Sequence, residues 1–181
     1  MAQDFLQAYE DHVWDVYGYF AYRSMRRADA EDLTQLTFER ALRAWDRFDP
    51  RRASAKTWLL SIARNAYIDF RRSDRSARMR SISGGEVSES DLPVDPGPEE
   101  RLSVDPEISA AIGRLSRRER EAVALRFGGD LRGPEIAEIL GISLANAQQI
   151  LSRALRKMRA DLERPVPANA AAGRAGSPSD Q

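Results

Sequence analysis

Asp29-Ala-Glu-Asp-Leu-Thr-Gln-Leu-Thr-Phe-Glu-Arg-Ala-Leu-Arg-Ala-Trp45 and Trp58-Leu-Leu-Ser-Ile-Ala-Arg-Asn-Ala-Tyr-Ile-Asp-Phe-Arg-Arg72 are neighbouring stretches that each read as an amphipathic helix. In the first, Leu33, Leu36, Ala41, Ala44 and Trp45 recur at helical spacing, continued by Phe48. Asp29 is placed to cap the helix, and Asp49-Pro50 ends it, because proline restricts the residue before it. In the second, Ser54 is a cap, and Trp58, Leu59, Ile62, Ala63, Ala66 and Phe70 form the apolar stripe. Upstream, Phe5, Tyr9, Val13, Val16, Tyr17 and Phe20 give a third amphipathic helix. Three such helices predict an N-terminal helical bundle.

Composition narrows the chemistry. The 181 residues carry 28 Lys+Arg against 28 Asp+Glu, so net charge gives no hint of a polyanionic partner. Its distribution does, because a neutral chain can still carry a basic stripe. The chain has no cysteine and a single histidine, His12, which removes disulfides, thiolate metal sites and histidine-based triads. No enzyme activity, cofactor or metal is expected. Acidic residues at Asp4, Glu10 and Asp11 do not fit a signal peptide, and no apolar run approaches the length of a membrane span. The expected location is the cytoplasm, without membrane insertion.

Aromatic residues divide the chain. All tryptophans and tyrosines, and every phenylalanine except Phe127, lie at or before Phe70. A later core must rely on aliphatic side chains, which predicts two small helical domains. The expected units are 1–75, a flexible linker over 76–104, a second domain over 105–164 and a disordered tail over 165–181. Serine, glycine and proline crowd the linker, and its second half, Glu86 to Glu100, is acidic with no basic residue. The fold class is therefore all-α.

The second domain opens with Asp105-Pro106-Glu107, an N-cap followed by proline at the first helical position. Ser116-Arg-Arg-Glu119 reads as a capping box. Pro134 to Leu140 is a short helix, Gly141 a turn, and Ser143 caps a final helix whose inner stripe is Ala147, Ile150, Leu151, Leu155, Met158 and Leu162. Short helix, glycine turn and longer helix make a helix-turn-helix. The leading residues of its second helix, Ser143, Leu144, Ala145, Asn146, Gln148 and Gln149, are candidates for base edges, and Arg153 for a phosphate. In the first domain, six arginines between Arg64 and Arg80 oppose only Asp69 and Asp74, a basic stripe beside aromatic rings that suits unstacked nucleic acid. Glu31, Asp32, Gln35 and Glu39 form a polar helix face suited to a partner protein.

Together these blocks resemble the extracytoplasmic-function class of bacterial RNA polymerase sigma factors, from about Tyr9 to Leu162. The residues that carry the resemblance are Asp29-Ala-Glu-Asp-Leu33, Gln35, Phe38, Trp58 to Asn65, Asp69 and Arg71-Arg72, with Leu115 to Glu121, Glu135-Ile-Ala137 and Leu140-Gly141. The later motifs are also similar to the output domains of response-regulator transcription factors, and the first domain breaks that tie. The resemblance implies that Asp32, Gln35, Phe38 and Glu39 grip the clamp helices of the polymerase β′ subunit. It implies that the loop from Phe48 to Thr57 and the following helix, with Arg64, Asn65, Asp69, Arg71 and Arg72, open and read the −10 promoter element. The helices from Ile108 to Phe127 would dock on the β flap, the final helix would read the −35 element, and the acidic linker would run along the RNA exit path. An anti-sigma factor is the implied inhibitor.

One stretch departs from the family. Where members often read Thr-Val-Lys-Ser-Arg, this chain has Asn146-Ala-Gln-Gln-Ile150. Gln148 and Ile150 stand at usual cation positions, which implies weaker −35 electrostatics. Two other functions fit parts of the sequence: a stand-alone helix-turn-helix regulator, and a sigma-like adaptor that has lost DNA binding.

Overall fold

The computed structural model describes residues 2–23, 26–81 and 105–164. Among these there are seven α-helices and no β-strand: α1 (Ala2–Ala21), α2 (Arg27–Ala44), α3 (Ala55–Ser81), α4 (Pro106–Gly113), α5 (Arg117–Val123), α6 (Gly133–Leu140) and α7 (Leu144–Leu162). Trp45–Arg47 adds a 3₁₀ turn after α2, and Ala124–Gly128 a π-helical turn after α5. The acidic half of the expected linker and the expected tail lie outside the described residues.

The first three helices form the aromatic bundle. Phe5 and Tyr9 of α1 meet Phe38 of α2 edge-on, with ring centroids 6.5 and 4.7 Å apart. At the far end of α2, Trp45 stacks on Phe48 at 4.9 Å and meets Trp58 at 5.7 Å, which fixes the chain as it crosses to α3. Two boundaries differ from the sequence reading. Helix α2 starts earlier, with Arg26 as its N-cap, so Asp29 lies in the first turn and takes two hydrogen bonds from the Arg26 guanidinium. Helix α3 runs on to Ser81 through residues assigned to the linker. Arginine, alanine and methionine there are good helix formers and need no apolar stripe to continue the helix.

Local capping builds the second region as its sequence predicts. Asp105 accepts from the Glu107 amide, and Ser116 and Glu119 close a reciprocal capping box. Glu119 is buried to 7% exposure and is met by Lys157 of α7 at 2.8 Å. Burial opposes its ionisation, but the Lys157 and Ser116 contacts outweigh it and hold its carboxyl below the usual range. A carboxyl lowered in the folded state stabilises the fold above the unfolded glutamate pKa. That contribution is lost as pH falls through the lower folded value. Ser116→Ala, which opens the box, should cost about 1 kcal/mol in a urea melt at neutral pH.

Gly141 adopts φ +63°, the left-handed conformation that ends α6 and sets the turn. Ser143 caps α7 by accepting from the Asn146 amide at 3.2 Å. The expected separation into an aromatic and an aliphatic core is modified. One buried cluster runs from Val16, Phe20, Leu59 and Leu60 into Ala124, Leu125, Leu131 and Ile136, so the two regions pack on each other. A smaller aliphatic cluster of Ile112, Leu115, Val123 and Ala154 lies under α4 and α7.

Candidate nucleic-acid interface

Helix α2 presents two unlike faces. Ala30, Leu33, Thr34, Thr37, Phe38 and Ala41 are buried. Both threonine hydroxyls donate to the helix's own carbonyls, at Ala30 and Leu33, which lets them sit inside. Asp32, Gln35 and Glu39 are exposed on the other side, with Glu39 met by Arg43. Phe38 therefore does not stand with its expected companions. At 6% exposure it is a core residue wedged against Phe5 and Tyr9, and it orients the helix rather than presenting a contact surface.

Helix α3 carries the stripe assigned to single-stranded DNA. Asn65, Asp69 and Arg72 are exposed, and Arg71 is half-buried. Asp69 accepts from Arg40 of α2 at 2.8 Å, so it tethers two helices as well as facing solvent. Arg64 is only 29% exposed and donates through Nε to Glu121 of α5 at 2.6 Å. The Phe48–Thr57 loop is ordered by its own ends. The Asp49 carboxylate accepts from the Arg51 amide and side chain, which holds its pKa below the usual range. Ser54 caps α3 at the Thr57 amide.

Helix α7 exposes Leu144, Ala145, Gln148, Gln149 and Arg153, with Asn146 half-buried and Ser143 occupied as the cap. Its start is brought close to α6 because Gly133 has no side chain: a Cβ there would lie 3.0 Å from Leu144 Cδ1. Ile150 is 8% exposed and shares the inward face with Ala147 and Ala154. The stripe reading of Ile150 is thus the right one, and its side chain does not stand at a DNA-facing position. Only Gln148 remains as an outward departure. Gln148→Lys should tighten binding to duplex DNA on all sequences. It should steepen the slope of log K against log salt by about one unit, measured by fluorescence anisotropy.

Sequence reasoning did not find the acids that contact α3 from the second region. Glu121, Asp130 and Glu135 meet Arg64, Lys56 and Thr57. Nothing local marks them, since their partners are 57 to 78 residues away. Gly18, within α1, did carry a signal, because glycine inside a helix is costly unless another backbone must approach, and a Cβ there would lie 2.5 Å from the Gly128 carbonyl oxygen.

The sigma-70 region 2 family matches residues 8–77, and the sigma-70 region 4 family matches residues 106–158. The extracytoplasmic-function (ECF) sigma factor SigC of Mycobacterium tuberculosis (strain CDC 1551 / Oshkosh) is 32% identical over 160 residues, covering 88% of this chain and 82% of the relative. The chain belongs to the sigma-70 family, as an ECF sigma factor. BldN of Streptomyces coelicolor, also an ECF sigma factor, is 32% identical over 161 residues, and the chain spans 60% of its length. Among solved structures, the sigma factor RpoE bound to the anti-sigma factor NepR, from Bartonella quintana, matches with a TM-score of 0.68 at 24% identity, covering 90% of this chain and 99% of that one, which shows the fold. CnrH in complex with the cytosolic domain of CnrY matches at 0.63 and 25% identity, covering 90% and 89%. A sigma factor directs promoter-specific initiation by RNA polymerase, and the match over residues 8–77 favours this function over a stand-alone helix-turn-helix regulator. Among the described residues, no helix is long and apolar enough to cross a membrane.

Proposed function

We propose that this ECF sigma factor binds core polymerase through the exposed face of α2, with Asp32, Gln35 and Glu39 as contacts and Phe38 as their support. Promoter DNA is then taken at two points. Arg64, Asn65, Asp69, Arg71 and Arg72 on α3 engage the −10 element, and Ser143 to Gln149 with Arg153 on α7 engage the −35 element. The observation that carries this reading is the division of α2 and α3, each buried on one side and lined on the other by the residue types its partner needs. The protein contributes no catalytic group of its own, since polymerase supplies the chemistry, and it acts in the cytoplasm, where polymerase and promoters are. The two structural relatives are bound to an anti-sigma factor and to a cytosolic domain respectively, which supports an inhibitory protein partner here as well.

The polymerase contact is tested by Asp32→Ala with Gln35→Ala. Both side chains are exposed, and changes of this kind usually alter stability by within about 0.5 kcal/mol. The double variant should keep its melting profile and bind core polymerase at least roughly tenfold more weakly, the loss of one to two interface contacts. Unchanged affinity removes the assignment of α2.

A further inference from the structure

The outward side of α7 starts without charge. Its first two turns expose Leu144, Ala145, Gln148 and Gln149, and the first exposed cation along the helix is Arg153. Packing fixes which way these side chains point. Ala147, Ile150 and Ala154 are buried on the inner side. Leu144 with Gln148, and Ala145 with Gln149, are each four residues apart and form two short columns on the other side. Gly133 seats the first column. A Cβ there would lie 3.0 Å from Leu144 Cδ1 and 4.0 Å from Gln148 Cγ, so both stems rest on the start of α6. Gln148 is nevertheless exposed, which leaves its amide clear of that contact.

The chemistry of base edges decides what such a surface can read. In the major groove, guanine presents two acceptors and is recognised by the donors of arginine or lysine. Adenine presents a donor beside an acceptor and is matched by the amide of glutamine or asparagine. The thymine methyl is met by a small apolar side chain. The leading turns of α7 hold two exposed amides and two exposed apolar side chains, and no guanine reader. We propose that this chain is specific for a −35 element built on adjoining A·T pairs. Gln148 and Gln149 each bond an adenine edge, and Ala145 and Leu144 lie on thymine methyls. Arg153 remains a phosphate contact behind them, which positions the helix and carries no sequence information. This inference rests on the −35 reading of α7 given above and adds to it the class of sequence that is read.

The test is transcription by core polymerase with the full-length chain, on templates randomised upstream of the start site, followed by sequencing of the templates used. The native chain should enrich adjoining A·T pairs in the upstream element, each preferred roughly tenfold over G·C, within the range of one bidentate base contact. Gln148→Ala should level the preference at one pair and Gln149→Ala at its neighbour. Gln149→Arg should turn the preference at its own pair to guanine. Gln148→Lys adds attraction for every sequence and removes an adenine contact, so it should narrow the ratio between A·T and G·C templates. All these positions are exposed, and alanine, arginine and lysine suit a helix as well as glutamine does, so circular dichroism should show every variant folded. An upstream element with guanine at the pairs that the alanine variants level overturns the proposal and leaves the −35 reading of α7 standing. An A·T element that neither alanine variant alters overturns it as well. If no upstream element is enriched at all, both the proposal and the −35 reading fall.

Discussion

Alanine at both Asn65 and Arg72 is expected to cut promoter-directed transcription roughly a hundredfold, while core polymerase binding is unchanged. Both side chains are exposed on α3, so the substitutions leave no cavity in the bundle. A side-chain contact to a base is worth about 1–3 kcal/mol, and about 1.4 kcal/mol is a tenfold change, so losing two contacts multiplies to that order. Core binding is assigned to α2, whose exposed face is made of other residues, so the two activities should separate. Run-off transcription measures the first and co-purification with core polymerase the second. Parallel loss of both, or a lowered melting temperature, would mean that these residues support the bundle rather than DNA.

Ile136→Ala should have the largest effect on stability. Ile136 is fully buried, next to Ala137 and in the same cluster as Ala147 of α7. It belongs to the buried cluster that joins the two regions, with Leu125, Leu131, Ala137 and Ala147. Truncating a buried isoleucine to alanine costs about 2–5 kcal/mol, a large part of the roughly 5–15 kcal/mol that keeps a domain folded. Urea denaturation followed by circular dichroism should show the midpoint falling, and −35 binding should weaken with it. A loss below about 1 kcal/mol would mean that the cluster around Ile136 is not close-packed.

The parts of this protein that were legible in its sequence are those specified over a few residues. Asp105 before Pro106, the Ser116–Glu119 box, the turn at Gly141 and the cap at Ser143 all formed where their local chemistry placed them. Amphipathic spacing likewise found the inner faces of α2 and α3 and most of that of α1, but on α7 it holds only for the first turns. Ala147 and Ile150 are buried, whereas Leu155 and Leu162, expected inside, are exposed, as is Tyr9 of α1. Two positions implied by the resemblance differ from the structure. Phe38, implied as a contact, lies one turn from Thr34 and Ala41 on the buried side. Ile150 belongs both to the apolar stripe and to a usual cation position, and packing resolves it in favour of the stripe. The end of α3 is not legible because its last turns carry no apolar period. The contacts between regions were beyond reach for a different reason. A pair such as Thr57 and Glu135 is set by the assembled fold, and neither residue's neighbours in the chain announce the other.

The departure from the family pattern at the recognition helix also becomes smaller once seen in three dimensions. With Ile150 inside, the chain lacks one outward cation at Gln148, while Arg153, Arg156 and Lys157 remain on exposed turns of α7. Lys157 is also bonded to Glu119, so it joins α7 to α5 and is only partly available to a phosphate. A sigma-like adaptor that has lost DNA binding would need a deeper loss of charge than this.

The central claim is that this chain gives core RNA polymerase its choice of promoter. A direct test is run-off transcription from a promoter library, with purified core polymerase and the full-length chain. Discrete transcripts that core polymerase alone does not make are expected, starting downstream of a shared pair of −35 and −10 sequences. The absence of any start site beyond those of core polymerase alone, with the chain folded, would contradict it.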